Sequence, residues 1–336
     1  MKRSKLLLNK SKIPLVSVII VTFNREKEVL SCLESVLKND YPNKEIILVD
    51  NASSDQTVAK VKKQFPSVKI VISKTNRGNS GGKNLGQPEA KGEFICFLDS
   101  DTVVDKKFLS EMVSSASIDP KIGLVCPKMY YFPGYEKSSS AYFERKRESS
   151  SASFDKKNII WYAGASINLF TSQAKNRGCN EKDLGQYDKI METDFAPTAY
   201  LATKEVVNKL KSHDETFFMA YNDSDYGYRV KEAGFKVIYC PTAKLWHRLG
   251  VEENIKSIRA LGYNLPLRAY YFARNRIIFM YKHAPRLNFW IFFFMFFPLF
   301  TLYFSYKIIV FGGSQQFLKP HLKGSLDGIK FLFKKN

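Results

Sequence analysis

Phe94-Ile95-Cys96-Phe97-Leu98-Asp99-Ser100-Asp101 is an apolar run that closes on two carboxylates one residue apart. Such a run reads as a buried strand. Acids at its exit stand where open α/β sheets bind ligands, at the carboxyl ends of the strands. Carboxylate oxygens suit hard divalent ions such as Mg²⁺ or Mn²⁺, and a phosphate-bearing ligand would complete the shell. An isolated Asp-x-Asp often just caps the next helix, so the surrounding chain has to support the site.

Upstream, short apolar runs alternate with helical patterns. Val16–Val21 reads as a buried strand, and Asn24 as the cap of a helix reaching Leu37. Strands are expected at Glu45–Val49 and Val68–Ser73, helices at Ser54–Phe65 and Gly81–Ala90. This alternation predicts an α/β fold, a mostly parallel mixed sheet with helices on both faces. Asp50 and Asp99 then fall at the carboxyl ends of separate strands. Downstream, residues 134–157 are rich in serine and charge and read as a mobile loop or a solvated linker. Thr171–Lys189 reads as a basic, glycine-bearing loop. Helices are expected at Lys204–Lys211 and Asp223–Ala233, with a strand at Lys236–Tyr239.

The chain has 336 residues and a formal charge of +20, enough length for one large domain and an appendage. Its five cysteines are scattered, with no Cys-x-x-Cys pair, so neither a disulfide framework nor a zinc knuckle is indicated. A reducing compartment fits. Residues 255–336 hold thirteen Lys/Arg and one acid, Asp327, around the uncharged run Leu287–Tyr306. Those twenty residues match the roughly 20 that a membrane-crossing helix needs. Trp290, Tyr303 and Tyr306 sit near its ends as interfacial anchors do, and Pro298 permits a kink or a re-entrant hairpin. A buried C-terminal helix is the alternative. No zinc-finger or RNP-like pattern is present, so an anionic membrane accounts for the charge better than nucleic acid does. Leu6-Leu7-Leu8 is too short for a signal-peptide core.

Val-Ser-Val-Ile-Ile-Val-Thr-Phe-Asn-Arg (16–25), Ile-Leu-Val-Asp-Asn-Ala-Ser-Ser-Asp (47–55) and Leu-Asp-Ser-Asp (98–101), in this order and spacing, resemble the family 2 inverting glycosyltransferases of GT-A fold. The resemblance covers residues 16 to about 250 and loosens beyond. It implies that Thr22, Asn24 and Asp50 hold the base and ribose of a nucleotide-sugar donor such as a UDP- or dTDP-sugar. An Asp carboxylate can accept the imide N–H of uracil or thymine. Asn76 to Gly86 resembles the family's glycine-rich segment, in which helix N–H groups favour an anion. Lys83 stands there where many relatives have Arg or Asn, and is assigned to the diphosphate or base. By the same resemblance Asp101 coordinates the metal, Asp99 contacts the ribose or the metal shell, and His247 helps bind metal or diphosphate.

His213 to Asp225 looks like the segment that carries the catalytic base. Asp223 keeps the base's position, while Asn222 replaces the usual glutamate. Inverting transfer needs one carboxylate to deprotonate the attacking hydroxyl. Asp225 reads as a first-turn acid favoured by the helix dipole, and Arg229 as its (i, i+4) partner. Trp246 could pack on the sugar or in the core. Pro197-Thr198 occupy the place of a glycine near the donor sugar, and Asp194 is a candidate for acceptor or sugar hydroxyls. The expected organisation is a catalytic domain over residues 1–250 and a basic helical tail over 251–336, with the catalytic domain on the cytoplasmic face of the membrane. The expected acceptor is lipid-linked or a glycan. Polyprenyl-phosphate transfer, or a catalytically silent membrane-bound nucleotide-sugar-binding protein, are the alternatives.

Overall fold

A computed structural model describes residues 13–133, 158–248, 265–310 and 315–334. The serine-rich stretch 134–157 and the expected domain boundary at 250 lie outside them.

The first strands are the ones the apolar runs announce. β1 (Val16–Thr22), β2 (Lys44–Asp50), β3 (Lys69–Ile72) and β4 (Phe94–Asp99) pair in parallel in the order β3-β2-β1-β4. Val16, Val18, Ile19 and Ile20 of β1 are fully buried. Each such side chain contributes about 1.5–3 kcal/mol on leaving water. Register puts Thr22 opposite Asp50, and Val21 opposite Asp99, so three candidate side chains share one sheet edge. Helices α1 (Glu26–Leu37), α2 (Thr57–Gln64) and α3 (Gly78–Gly86) connect these strands. Asn24 does not cap α1. It precedes the N-cap Arg25 in a left-handed conformation, and its Oδ1 accepts the Ser54 N–H at 2.8 Å.

Beyond β4 the parallel pattern gives way to a mixed one. β5 (Thr102–Val104) and α4 (Phe108–Ala116) lead to β6 (Ile122–Tyr131). β7 (Ile159–Tyr162) pairs antiparallel with β6, and β8 (Ala165–Ile167) with β9 (Ala174–Asn176). β10 (Glu181–Lys182) and β11 (Met191–Glu192) follow. The stretch expected to be a plain loop therefore contains β9 and β10. Its Asp183 and Asp188 clasp the buried Lys128 Nζ of β6 at 2.9 and 2.6 Å. β12 (Ala199–Thr203) inserts antiparallel between β4 and β6, followed by α5 (Lys204–Leu210) and α6 (Asn222–Glu232). β13 (Lys236–His247) runs much further than its expected end at Tyr239, because after a bulge it zips onto both β6 and β5.

The tail continues the same body. α7 (Pro266–His283) packs on α6 and on α9 (Gln315–Phe333). Between them α8 (Arg286–Val310) runs unbroken past Pro298, so the chain does not reverse there as a hairpin would. Proline lacks an N–H and crowds the carbonyl four residues back, and the π-turn Phe292–Phe296 just before it relieves that clash. One stripe of α8, including Phe289, Phe292 and Phe297, is buried against the main core. The opposite stripe, with Leu287, Phe294, Leu299 and Leu302, is exposed.

Candidate active site

At the ends of β1 and β2, Thr22 Oγ1 and Asp50 Oδ1 are buried and have no hydrogen-bond partner among the described residues. Unpaired buried polar atoms are costly and point to a missing partner. Asp50 Oδ2 is held by the Ser53 N–H at 3.1 Å, and Asn24 braces the same turn through Ser53 and Ser54. Next along, Asn51 donates to Asn76 Oδ1 and Gly78 O at 3.0 and 2.9 Å and accepts the Arg77 N–H. It ties the glycine-rich segment to the strand ends.

The glycines serve packing. A Cβ at Gly82 would lie 2.5 Å from Val21, and one at Gly86 2.7 Å from Ile19, so these two positions, one helical turn apart, seat α3 directly on β1. At the start of α3, where the sequence suggests an anion site, two N–H groups are engaged within the protein. The Gly78 N–H is taken by Asn76 Oδ1 and the Asn79 N–H by the Phe218 carbonyl.

The β5–β13 ladder sets Thr102 against His247, which brings His247 beside Asp101. Its Nε2 stands 3.2 Å from Asp101 Oδ1 but out of hydrogen-bond alignment, so that Asp101 Oδ1 remains unpaired and buried; His247 Nδ1, on the other side of the ring, is buried and unpaired as well. Arg25 Nη1 lies 3.9 Å from the other carboxylate oxygen. Burial opposes ionisation of Asp101, yet His247 and Arg25 overcome it and hold the carboxyl below its ordinary value. Asp99 differs. Burial pushes its carboxyl up to about 6, with Lys83 and the Asn79 amide acting against burial and the charges of Asp101 and Asp223 with it. Among the described residues no three His, Cys, Asp or Glu side chains converge on one point. Asp101 Oδ1, unpaired, with His247 Nε2 beside it nonetheless suits a divalent ion, with a diphosphate as the source of further oxygen ligands.

Asp223 opens α6 behind two left-handed residues, Ala220 and Tyr221. Its Oδ1 accepts from Lys83 Nζ at 2.7 Å and from Asn222 Nδ2 at 2.8 Å. Asn222 also donates to Asn79 Oδ1 at 3.0 Å, and Asn79 donates to Asp99 Oδ1 at 3.0 Å. The amide at 222 thus links the candidate base to the Asp-x-Asp acids. Lys83 is placed beside Asp223 rather than as a free cation for a donor.

Other expected residues settle into packing. Both oxygens of Asp194 are engaged, Oδ1 by Lys231 at 2.6 Å and Oδ2 by the Ile167 N–H at 2.7 Å. Arg229 pairs with Asp225 at 3.7 Å as its spacing foretold, and Asp225 also meets His283 at 2.9 Å. Trp246 stacks on Tyr130. A polar cleft of ≈ 550 Å³ lined by Asn84, His213, Asp225, Arg229 and His283 includes none of Thr22, Asp50, Asp99 or Asp101. The orphaned atoms at the strand ends lie apart from this cleft. Sequence reasoning gave no role to Asn79, Tyr200, Asn275 or His283. They lie on separate elements with no shared motif, and only the fold brings them together.

The mixed α/β sheet with its helices has the GT-A fold of solved glycosyltransferase structures. Residues 17–177 match the family described as Glycosyl transferase family 2, so the chain carries a family 2 glycosyltransferase domain. It is similar to the poly(ribitol-phosphate) beta-N-acetylglucosaminyltransferase TarS of Staphylococcus aureus (strain Mu50 / ATCC 700699), 37% identical over 108 residues, covering 31% of this chain and 18% of TarS. It is similar also to the poly-beta-1,6-N-acetyl-D-glucosamine synthase of Staphylococcus epidermidis, 34% identical over 127 residues, covering 36% of this chain and 31% of the synthase. The matched stretch thus spans less than a third of either relative. The solved structure of the mannosyltransferase PcManGT from Pyrobaculum calidifontis, in complex with GDP-Man and Mn²⁺, superposes with a TM-score of 0.51 at 15% identity. That match covers 97% of this chain and 89% of PcManGT.

Proposed function

We propose that this chain is a metal-dependent, inverting glycosyltransferase that moves a sugar from a nucleoside-diphosphate donor to a glycan or lipid-linked acceptor at a membrane surface. The observation that carries this reading is the line of groups along one sheet edge. It runs from the orphaned Thr22 and Asp50, past Asp99 and Asp101–His247, to Asp223, joined to Asp99 through Asn79 and Asn222. Thr22 and Asp50 take the base and ribose, Asn24 shapes their turn, and Asp99 faces the ribose or the metal shell. Asp101 and His247 would hold Mg²⁺ or Mn²⁺, which when bound neutralises charge on the departing diphosphate. Asp223 removes the acceptor's hydroxyl proton as its oxygen bonds to the anomeric carbon. The bond from that carbon to the diphosphate breaks, the electron pair leaves with the nucleotide, and this single displacement inverts the configuration. PcManGT binding GDP-Man with Mn²⁺, and the polymer-making names of the two relatives, support the donor and acceptor classes.

The membrane part rests on the exposed apolar stripe of α8 and the basic residues around it. With the catalytic edge on the cytoplasmic side, a polyprenyl-linked acceptor is within this reading. A catalytically silent nucleotide-sugar binder is the second reading, favoured by the amide at Asn222. The test is a thermal-shift screen of UDP-, GDP- and dTDP-sugars with Mn²⁺, followed by assay of nucleoside diphosphate release. Stabilisation with release supports the enzyme, since a ligand of the native state raises Tm. Stabilisation without release under any acceptor favours the silent binder, and no stabilisation by any donor overturns both.

A further inference from the structure

Lys83 is the charged side chain the proposed chemistry leaves over. It is only 1% exposed, and burying an ammonium is costly unless its donors are satisfied. Its Nζ donates to Asp223 Oδ1 at 2.7 Å and to the Tyr200 hydroxyl at 3.2 Å, and lies over the Tyr200 ring at 4.8 Å. The Tyr200 hydroxyl also meets His213 Nε2 at 2.6 Å. Burial, together with the charges of Lys83 and Arg229, holds the His213 imidazole well below its ordinary pKa, so that it is neutral. Asn84, the residue after Lys83, grips the backbone of His213 from both sides, accepting its N–H at 2.7 Å and donating to its carbonyl at 2.9 Å. His213 in turn stacks on Tyr226 at 4.2 Å.

We propose that Lys83 is a positioning residue for the base Asp223, held in place by Tyr200 and His213, and is not a ligand of the donor nucleotide. The inference rests on the assignment of Asp223 as base. Lys83 and Asn222 both bind Oδ1, and Oδ2 takes no hydrogen bond among the described residues. The carboxylate is therefore pinned by one oxygen and presents the other to the acceptor. Asp99, Tyr200 and Cys126 are the other titratable groups that sense the charge of Asp223, and Lys83 is the cation bonded to it. Removing an adjacent cation makes a carboxylate harder to ionise.

The test uses the full chain, with UDP plus Mn²⁺ as the binding probe and, for turnover, the sugar nucleotide giving the largest thermal shift. Lys83→Met should leave UDP affinity unchanged, lower kcat by about 10²-fold, within the range of lost general-base assistance, and move the acid limb of the pH–rate profile to higher pH. Tyr200→Phe, which keeps the volume, should shift that limb in the same direction with a smaller loss of kcat. It decides the matter if Lys83→Met does not fold. Loss of UDP affinity in Lys83→Met at unchanged kcat would make Lys83 a donor ligand and overturn the inference. So would an unmoved kcat and pH profile in the folded variants while Asp223→Asn is inactive. Near-normal turnover in Asp223→Asn would instead remove the base assignment, a separate failure that takes the positioning role with it.

Discussion

The carboxamide of Asn275 holds the carbonyl oxygen of Ala220 at 3.0 Å, and that of Met219 at 2.8 Å. Asn275 is fully buried on α7, in the basic tail, whereas Ala220 lies three residues before Asp223 in the proposed catalytic segment. Ala220 and its neighbour Tyr221 both have positive φ, a conformation that costs a non-glycine residue of order 1–2 kcal/mol. The neighbouring Arg274 donates to the Thr216 carbonyl at 2.9 Å. The tail helix thus clamps the strained turn that aims Asp223.

Asn275→Ala should destabilise the fold by about 1–3 kcal/mol, the cost of leaving buried carbonyls unpaired. The same change should lower kcat more than it lowers affinity for UDP with Mn²⁺. Thermal melts and a comparison of kcat with nucleotide affinity check this. Equal losses in both would mean that the clamp acts on stability alone.

Asp101 and Asp223 should fail differently. Asp101→Ala should lose metal-dependent nucleotide binding and, with it, transfer. Asp223→Asn should keep the volume and still bind donor with metal, but lose on the order of 10²–10⁴-fold in turnover. Calorimetry beside turnover separates the two. Asp225 and Asp194 are poor substitutes for the base, because His283 and Arg229 occupy the first, and Lys231 and the Ile167 N–H the second.

The parallel half of the sheet was legible in the sequence because β1, β2 and β4 carry buried, unbroken apolar runs, with β3 as a more exposed edge strand. So was the placement of Asp50, Asp99 and Asp101 at strand ends. The helix start at Asn24 was misread, since its amide finds Ser54, thirty residues away, and not its own helix. Beside its glycines Lys83 reads as a ligand of the diphosphate or base. Only the pairing of β12 with β4 brings Tyr200 alongside, and with it the partner that draws the amine inward. The length of β13 was hidden because Pro241, Thr242 and Lys244 interrupt its apolar run before Leu245, Trp246 and His247 join the ladder with β5.

His283 bridges Asp225 and Glu232 at 2.9 and 2.8 Å. Burial works against its protonation, but the two carboxylates outweigh it and raise its pKa above 6.5. A group whose pKa is raised on folding adds stability that is complete below its unfolded value and is lost as pH rises through the folded one. The stability gap between the wild type and His283→Gln should therefore be largest near pH 6 and shrink towards pH 9. Arg229, Lys282 and His213 line the same cleft and are common to both proteins. A gap that widens with pH would show that His283 is held neutral.

The exposed stripe of α8 makes the last prediction. Phe294 and Leu302 are each 69% exposed, while Phe292 on the opposite stripe is fully buried against the core. A helix with one apolar face on protein and the other uncovered is suited to lie in the membrane interface, and the thirteen basic residues from 255 onward would add attraction to anionic lipid. The double change Phe294→Lys and Leu302→Lys should leave Tm unchanged and sharply reduce co-sedimentation with vesicles containing phosphatidylglycerol. Phe292→Lys should instead destabilise the fold, because it buries an unpaired charge. Alkaline carbonate extraction of native membranes then distinguishes the depth of insertion. Retention in the pellet marks a helix embedded in the hydrocarbon, and full release marks attachment through the basic surface alone. Unchanged vesicle binding in the double variant would remove α8 from the membrane contact.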